Sequence, residues 1–260
     1  MSPVHGRVMD ANARGIRNLE NYRYGAAMKN FEQALRLSRS IDDRDGALLA
    51  MLNLVRTHRA AGQTVEAETI LSDAMALARP ADPIYADLAF ERAKLLLASG
   101  DGAAALGWVE VVLRDTGVSD SLVVGAHNLK ALSLMDTDRV REAGQEATLA
   151  LQAARRAGYR AGEADGLRVQ GDIEKKAGNW ERAAARCGEA LEIDRELGRA
   201  RSVGYDLICL GEAAEAAGRV HEARGYYRRA DLVVQNSGSM PRLREIVNAG
   251  LDRLRVSGDR

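Results

Sequence analysis

The residues of this chain that could do chemistry are few and scattered. Gly100-Asp101-Gly102-Ala103-Ala104-Ala105 has the glycine spacing of a dinucleotide-binding turn. Such a turn works only between a strand and a helix, where the backbone can approach a pyrophosphate. Here Leu95, Leu96 and Leu97 precede it in a helical pattern, so the glycines read as a turn between helices. Asp42, Asp43, Asp45 and Gly46 bring carboxylates together as a calcium loop would, but the bidentate glutamate near its end is missing. They read as a loop that caps a helix near Gly46. His5, His58, His127 and His221 stand far apart, and none pairs with another His or Cys at metal-ligand spacing. Cys187 and Cys209 occupy apolar helical positions in neighbouring units, so they can be close. Small buried thiols are the expectation, and a disulfide or redox switch is the alternative. There is no nucleophile elbow and no phosphate loop. No catalytic residue, metal site or cofactor is expected.

Composition narrows the classes further. Lysine and arginine number 37, aspartate and glutamate 37, for a formal net charge of +0. A nucleic-acid binder normally carries a basic excess or stripe, so no nucleic-acid partner is expected. No apolar run is long enough to span a bilayer, and the first twenty residues hold no apolar leader segment. Membrane insertion is therefore not expected, and the cytoplasm is the default compartment. Hydrophobic residues make up 46%, enough for a core, while aromatics make up only 4%. No proline falls between Pro83 and Pro241, which suits uninterrupted helices.

What must position any functional residue is a repeat. Ala27, Ala67, Ala105, Ala143, Ala183 and Ala223 lie 40, 38, 38, 40 and 40 residues apart. Seven residues after each comes another small or apolar residue: Ala34, Ala74, Val112, Ala150, Ala190 and Ala230. Five residues before four of them sits a glycine: Gly62, Gly100, Gly178 and Gly218. A fixed period of this size is the signature of a solenoid. In the fifth copy, Leu167, Gly171, Ile173 and Ala177 follow helical spacing and Gly178 ends the run. Asn179 can cap the next helix, in which Trp180, Ala183, Ala184, Cys187, Ala190, Leu191 and Ile193 recur at three- and four-residue steps. The unit is a helical hairpin, and the alanines are small because two helices cross there. Hairpin turns are expected near residues 22, 62, 100, 138, 178 and 218, with thirteen helices and no sheet.

Gly171, Gly178, Trp180, Ala183 and Ala190, with Gly15, Tyr24, Ala27, Phe31 and Ala34 in the first copy, resemble the tetratricopeptide repeat. The longer period resembles the variety found in kinesin light chain, in sensor domains related to the maltose-regulon activator and in peptide-pheromone receptors. The resemblance implies an all-α, right-handed α-solenoid of six helical hairpins plus a C-terminal capping helix. It implies a concave groove lined by the first helices, which binds other proteins or peptides without catalysis. On that geometry the groove face carries Leu49, Leu52, Arg56 and Arg59 with Asn53 beside them, then Asp87, Phe90, Lys94 and Leu97. It continues through Asn128, Leu132 and Met135, through Arg168, Asp172 and Lys175, and through Tyr205, Ile208, Glu212 and Glu215. Asn53 stands where the long-period relatives often hold a peptide backbone. Arg56, Arg59 and Lys94 read as a basic centre and Glu212 and Glu215 as an acidic end.

The expected organisation is a flexible tail over 1–7, six repeats over 8–237, and a capping helix with C-terminal tail over 238–260. The expected function is to hold a peptide or protein segment, acidic in character, against Asn53, Arg56, Arg59, Phe90, Lys94, Asn128, Arg168 and Lys175. The alternatives are a regulatory or sensory module of a signalling system, and a scaffold that self-associates through its end helices.

Overall fold

The computed structural model describes residues 3–237 and 240–258. Among them are thirteen helices and no strand. First helices are α1 (Pro3–Glu20), α3 (Arg44–Ala60), α5 (Tyr85–Ala98), α7 (Asp120–Asp136), α9 (Arg160–Lys176) and α11 (Ala200–Ala216). Their hairpin partners are α2 (Tyr24–Arg39), α4 (Thr64–Leu77), α6 (Gly102–Arg114), α8 (Val140–Arg156), α10 (Trp180–Glu196) and α12 (Val220–Asn236). The seventh first helix, α13 (Pro241–Gly258), closes the stack with no partner among the described residues. α1 starts at Pro3, so residues 3–7, expected as a tail, are helical instead. The rest of that tail, residues 1 and 2, lies outside the described residues.

The turns fall at the expected places. Gly62, Gly100, Gly178 and Gly218 adopt φ between 73° and 82°. Each lets the chain reverse while the following N–H caps the helix just ended, as when Gln63 N donates to His58 O at 2.9 Å. Asp138 and Tyr22 take the same left-handed conformation, both at φ 57°. Asparagine at 179 does not cap α10 as expected; its Nδ2 reaches back to Glu174 Oε2 at 2.7 Å. Asp43 does cap α3, its Oδ1 accepting from Gly46 N at 2.9 Å. Gly102, in the stretch with dinucleotide-turn spacing, starts α6 and donates its N–H to Asp136 Oδ2 at 2.9 Å. A Cβ there would lie 2.9 Å from the Ser133 carbonyl, so glycine serves close packing of α6 on α7.

Inside each hairpin two positions sixteen residues apart set the packing, and in three of the six a glycine on the first helix makes room for the side chain on the second. The pairs are Gly15 with Phe31, Val55 with Leu71, Ala93 with Val109, Ala131 with Ala147, Gly171 with Cys187, and Gly211 with Tyr227. All of the second-helix members are buried. A Cβ at Gly15 would lie 2.4 Å from the Phe31 ring, and one at Gly171 2.5 Å from Cys187 Sγ. The ladder alanines themselves, from Ala27 to Ala223, are all 0% exposed. Cys187 and Cys209 are not the free thiols expected. They form a disulfide between α10 and α11, with Cα atoms 6.2 Å apart, and the missing side chain of Gly171 leaves room for it.

Curvature follows from which helices touch. Each first helix contacts the next first helix, from α1 and α3 through to α11 and α13, whereas consecutive second helices make no such contact. The first helices therefore form the inner layer. The curl brings the first turn back to the sixth hairpin. Tyr22 Oη accepts from Arg201 N at 3.3 Å, Tyr24 Oη accepts from the Arg201 guanidinium, and that guanidinium lies 5.2 Å from the Tyr22 ring centroid. Tyr22 also packs on the C-terminal core. Arg201→Ala should open this seam. X-ray scattering should then report a larger radius of gyration, and the unfolding transition should broaden; identical scattering would mean that the seam does not hold the curl.

Candidate functional site

The inner layer encloses a concavity of about 980 Å³. Its wall runs from the turn Arg59–Gly62 across α5 (Phe90, Lys94), α7 (Val124, Gly125, Asn128) and α9 (Arg168, Val169) to Tyr205 on α11. Met240 to Leu243 at the start of α13 complete it. The tip of the Phe90 ring comes up against α7 because residue 125 is glycine; a Cβ there would sit 2.8 Å from the ring. Lys94 Nζ stands 4.1 Å over the same ring's centroid. Asn128, also in the wall, is 7% exposed, and its Oδ1 is buried with no hydrogen-bond partner. A second hollow of about 700 Å³ has an apolar floor of Leu132, Met135 and Trp180 and a charged rim that includes Lys175 and Glu212.

No protein-family model matches the sequence, and no curated protein matches it. Solved structures do match the fold. A tetratricopeptide repeat protein from Parabacteroides merdae aligns at TM-score 0.51 and 12% identity, over 96% of this chain and 99% of that one. BtubC (BKLC) from P. vanneervenii aligns at TM-score 0.58 and 18% identity, over 90% and 91%. A signal-transduction ATPase with a tetratricopeptide repeat sensor, from Pyrococcus horikoshii, aligns at TM-score 0.60 and 16% identity, over 92% of this chain and 36% of that protein. This chain has a tetratricopeptide-repeat-like (TPR-like) fold. Identities this low speak to fold alone.

Placed on the TPR-like solenoid, the expected groove residues divide. Phe90, Lys94, Arg59, Asn128 and Arg168 line the large concavity, and Lys175 the second hollow. Asn53 is 5% exposed, lies outside both, and its Nδ2 is unpartnered. Arg56 also lies outside both.

The basic centre is not a free set of cations. Glu91, 1% exposed, sits among them and accepts from Arg56 Nε at 3.4 Å, Arg59 Nε at 2.9 Å and Lys94 Nζ at 2.9 Å. Asp87 takes a second bond from Arg56. Burial alone would raise the Glu91 carboxyl, but Lys94, Arg59 and Arg56 outweigh it and hold it well below the carboxylate range. Lys94 is pushed down to about 8 by burial, against the pull of Glu91 and with Arg59 and Arg56 adding to it. Arg168 is taken up by Asp165, Asp194 and Asp206, and Lys175 by Asp172 and Glu212. The acidic end is paired as well: Glu215 accepts from Tyr227 Oη at 3.0 Å and from Arg253 Nε at 3.0 Å.

Sequence reasoning places five of its eight named residues on the wall of the concavity and misses what neutralises the cations among them. Glu91 has a visible signal: a carboxylate inside the apolar run Ala89-Phe90-x-x-Ala93, three residues before Lys94. Asp194 and Asp206 carry no comparable signal, because their partner Arg168 is 26 and 38 residues away.

Among the described residues no helix is long and apolar enough to cross a membrane. The exposed large hydrophobics, Met9, Ile16, Ile41, Leu49, Val65, Leu77, Leu149, Leu197 and Leu232, are spread over many elements. On α13, Arg242, Arg244, Glu245 and Asp252 are exposed. These features give the end-to-end scaffold reading little support.

Proposed function

We propose that this TPR-like chain is a protein-interaction module that holds a segment of a partner protein inside its curl, without catalysis. The observation that carries the reading is the Asn128 amide. That side chain lines the concavity together with the Phe90 ring, and among the described residues its buried oxygen is left without a hydrogen-bond partner. A partner main-chain group can bond the Asn128 amide while an apolar side chain rests on Phe90, and rigid helices hold both groups ready. Because Arg56, Arg59, Lys94, Arg168 and Lys175 already have carboxylate partners, the segment's hold comes from apolar contact and hydrogen bonds more than from acidic charge. A regulatory role is the second reading, favoured by the alignment of 92% of this chain to the sensor-bearing ATPase.

Affinity capture followed by peptide mapping tests the proposal. Phe90→Ala with Asn128→Ala should lose the captured partner, at about tenfold or more weaker binding. Glu222→Ala, on the exposed outer side of α12, should keep it. If the groove variant keeps the partner and an outer-face variant loses it, the concavity is not the binding surface.

A further inference from the structure

Three carboxylates and two guanidiniums meet where the fifth and sixth hairpins join. Asp194 on α10 and Asp206 on α11 are both 0% exposed. Arg168 on α9 lies between them, bonded to Asp194 and, through Nε at 2.6 Å, to Asp206 Oδ1. Arg199, in the turn before α11, donates to Asp194 Oδ1 at 2.8 Å and to Asp165 Oδ1 at 2.9 Å. Asp165 on α9 also accepts from Arg168 at 3.0 Å. Tyr159, in the turn before α9, faces Asp165 and Arg199; burial and Asp165 raise its hydroxyl. Among the described residues no side chain of α12 or α13 pairs with Asp194 or Asp206.

The charges do not balance. Fully ionised, the cluster holds three negative and two positive groups, a surplus of one negative charge in a buried joint. Asp206 Oδ2 is moreover buried with no partner. A proton on that oxygen, directed at the neighbouring Asp194 carboxylate, removes the surplus charge and turns an orphan acceptor into a donor. We infer that Asp206 and Asp194 share one proton, and that this makes the joint between the fifth and sixth hairpins a pH-sensitive element acting on Arg168 at the wall of the concavity.

The electrostatics agree. Burial, opposed by Arg168 and aided by the charge of Asp194, pushes Asp206 up to about 7, and burial raises Asp194 too. Losing the proton leaves one uncompensated charge between α9, α10 and α11. The Cys187–Cys209 disulfide crosses α10 and α11, so the joint can loosen without parting. Arg201, which closes the seam to Tyr22, sits on α11 five residues before Asp206, so both ends of the curl feel the change.

The sign of the pH effect follows from a carboxyl raised in the folded state. Such a group stabilises fully below the ordinary carboxylate range, near pH ~4, and loses that contribution as pH rises through about 7. Asp206→Asn keeps the neutral form at every pH. Thermal unfolding of the full chain should show the variant pulling ahead of wild type as pH rises above about 4, by about 5 °C near pH ~7, with little further gain above that. A gap that is constant with pH, or that closes as pH rises, overturns the inference. Carbon-13 titration of the aspartate carboxyls in the wild type gives a second readout that does not depend on the variant folding. One resonance with a midpoint near 7 supports the shared proton; midpoints all below about 5 refute it.

Discussion

Glu91→Ala is expected to destabilise the chain by about 3–5 kcal/mol, the usual cost of removing one member of a buried ion cluster. Three cations from α3 and α5 converge on this carboxylate, which is 1% exposed. Without it Arg56, Arg59 and Lys94, which are 34%, 34% and 26% exposed, face one another with no carboxylate between them. A loss of this size is a large share of the roughly 5–15 kcal/mol that holds a domain folded. Urea or thermal unfolding measures it, and a loss below about 1 kcal/mol would show the cluster to be surface decoration. Acid supplies an independent check. Glu91 is depressed in the folded state, so its contribution is present above the ordinary carboxylate pKa and is lost as pH falls below it. The gap between wild type and Glu91→Ala should therefore narrow below pH ~4. Reversing the charges of Arg56 and Lys94 is for the same reason a poor probe of ligand binding, since it strips Glu91 of two partners and would report folding.

Ala183→Leu should cost about 1–3 kcal/mol by overpacking. Ala183 is 0% exposed, and its carbonyl oxygen lies 3.4 Å from where Gly171 would carry a Cβ, so α9 and α10 already touch backbone to backbone. Three added carbons would have to force the two axes apart. Ala185→Leu, two residues along on the exposed side of α10, is the control and should move the midpoint by less than about 0.5 kcal/mol equivalent. Equal effects at the two positions would mean that the alanine period does not mark helix crossings.

The two positions differ in how far the amino-acid sequence reveals them. The crossing at Ala183 repeats every 38–40 residues, and a period is a property of order along the chain. Turns, helix number and the inner layer follow from it. The charge pairing at Glu91 has no period. It depends on which cation from α3 reaches which carboxylate on α5, and a salt bridge spanning 32 to 35 residues leaves no local pattern. Groove position is thus legible while groove charge is not: Arg168 lies on the inner face, as its place in the repeat predicts, yet three aspartates hold it there. The cysteine pair falls between these cases. Its closeness follows from register, but bond formation depends on the space left by Gly171.

In a linear stack each unit answers only to its neighbours, so unfolding begins by fraying at either end and creeps inward. The seam between Tyr22 and Arg201 joins positions 179 residues apart, and the first hairpin thereby gains a stake in the sixth. Contacts of such sequence separation are slow to form, because a long loop must close first. Once made, they bind together the two regions with the most freedom to fray. The chain should therefore melt more as a single cooperative body than as a row of units. Deleting the first hairpin would be felt at α11, far along the chain and close in space.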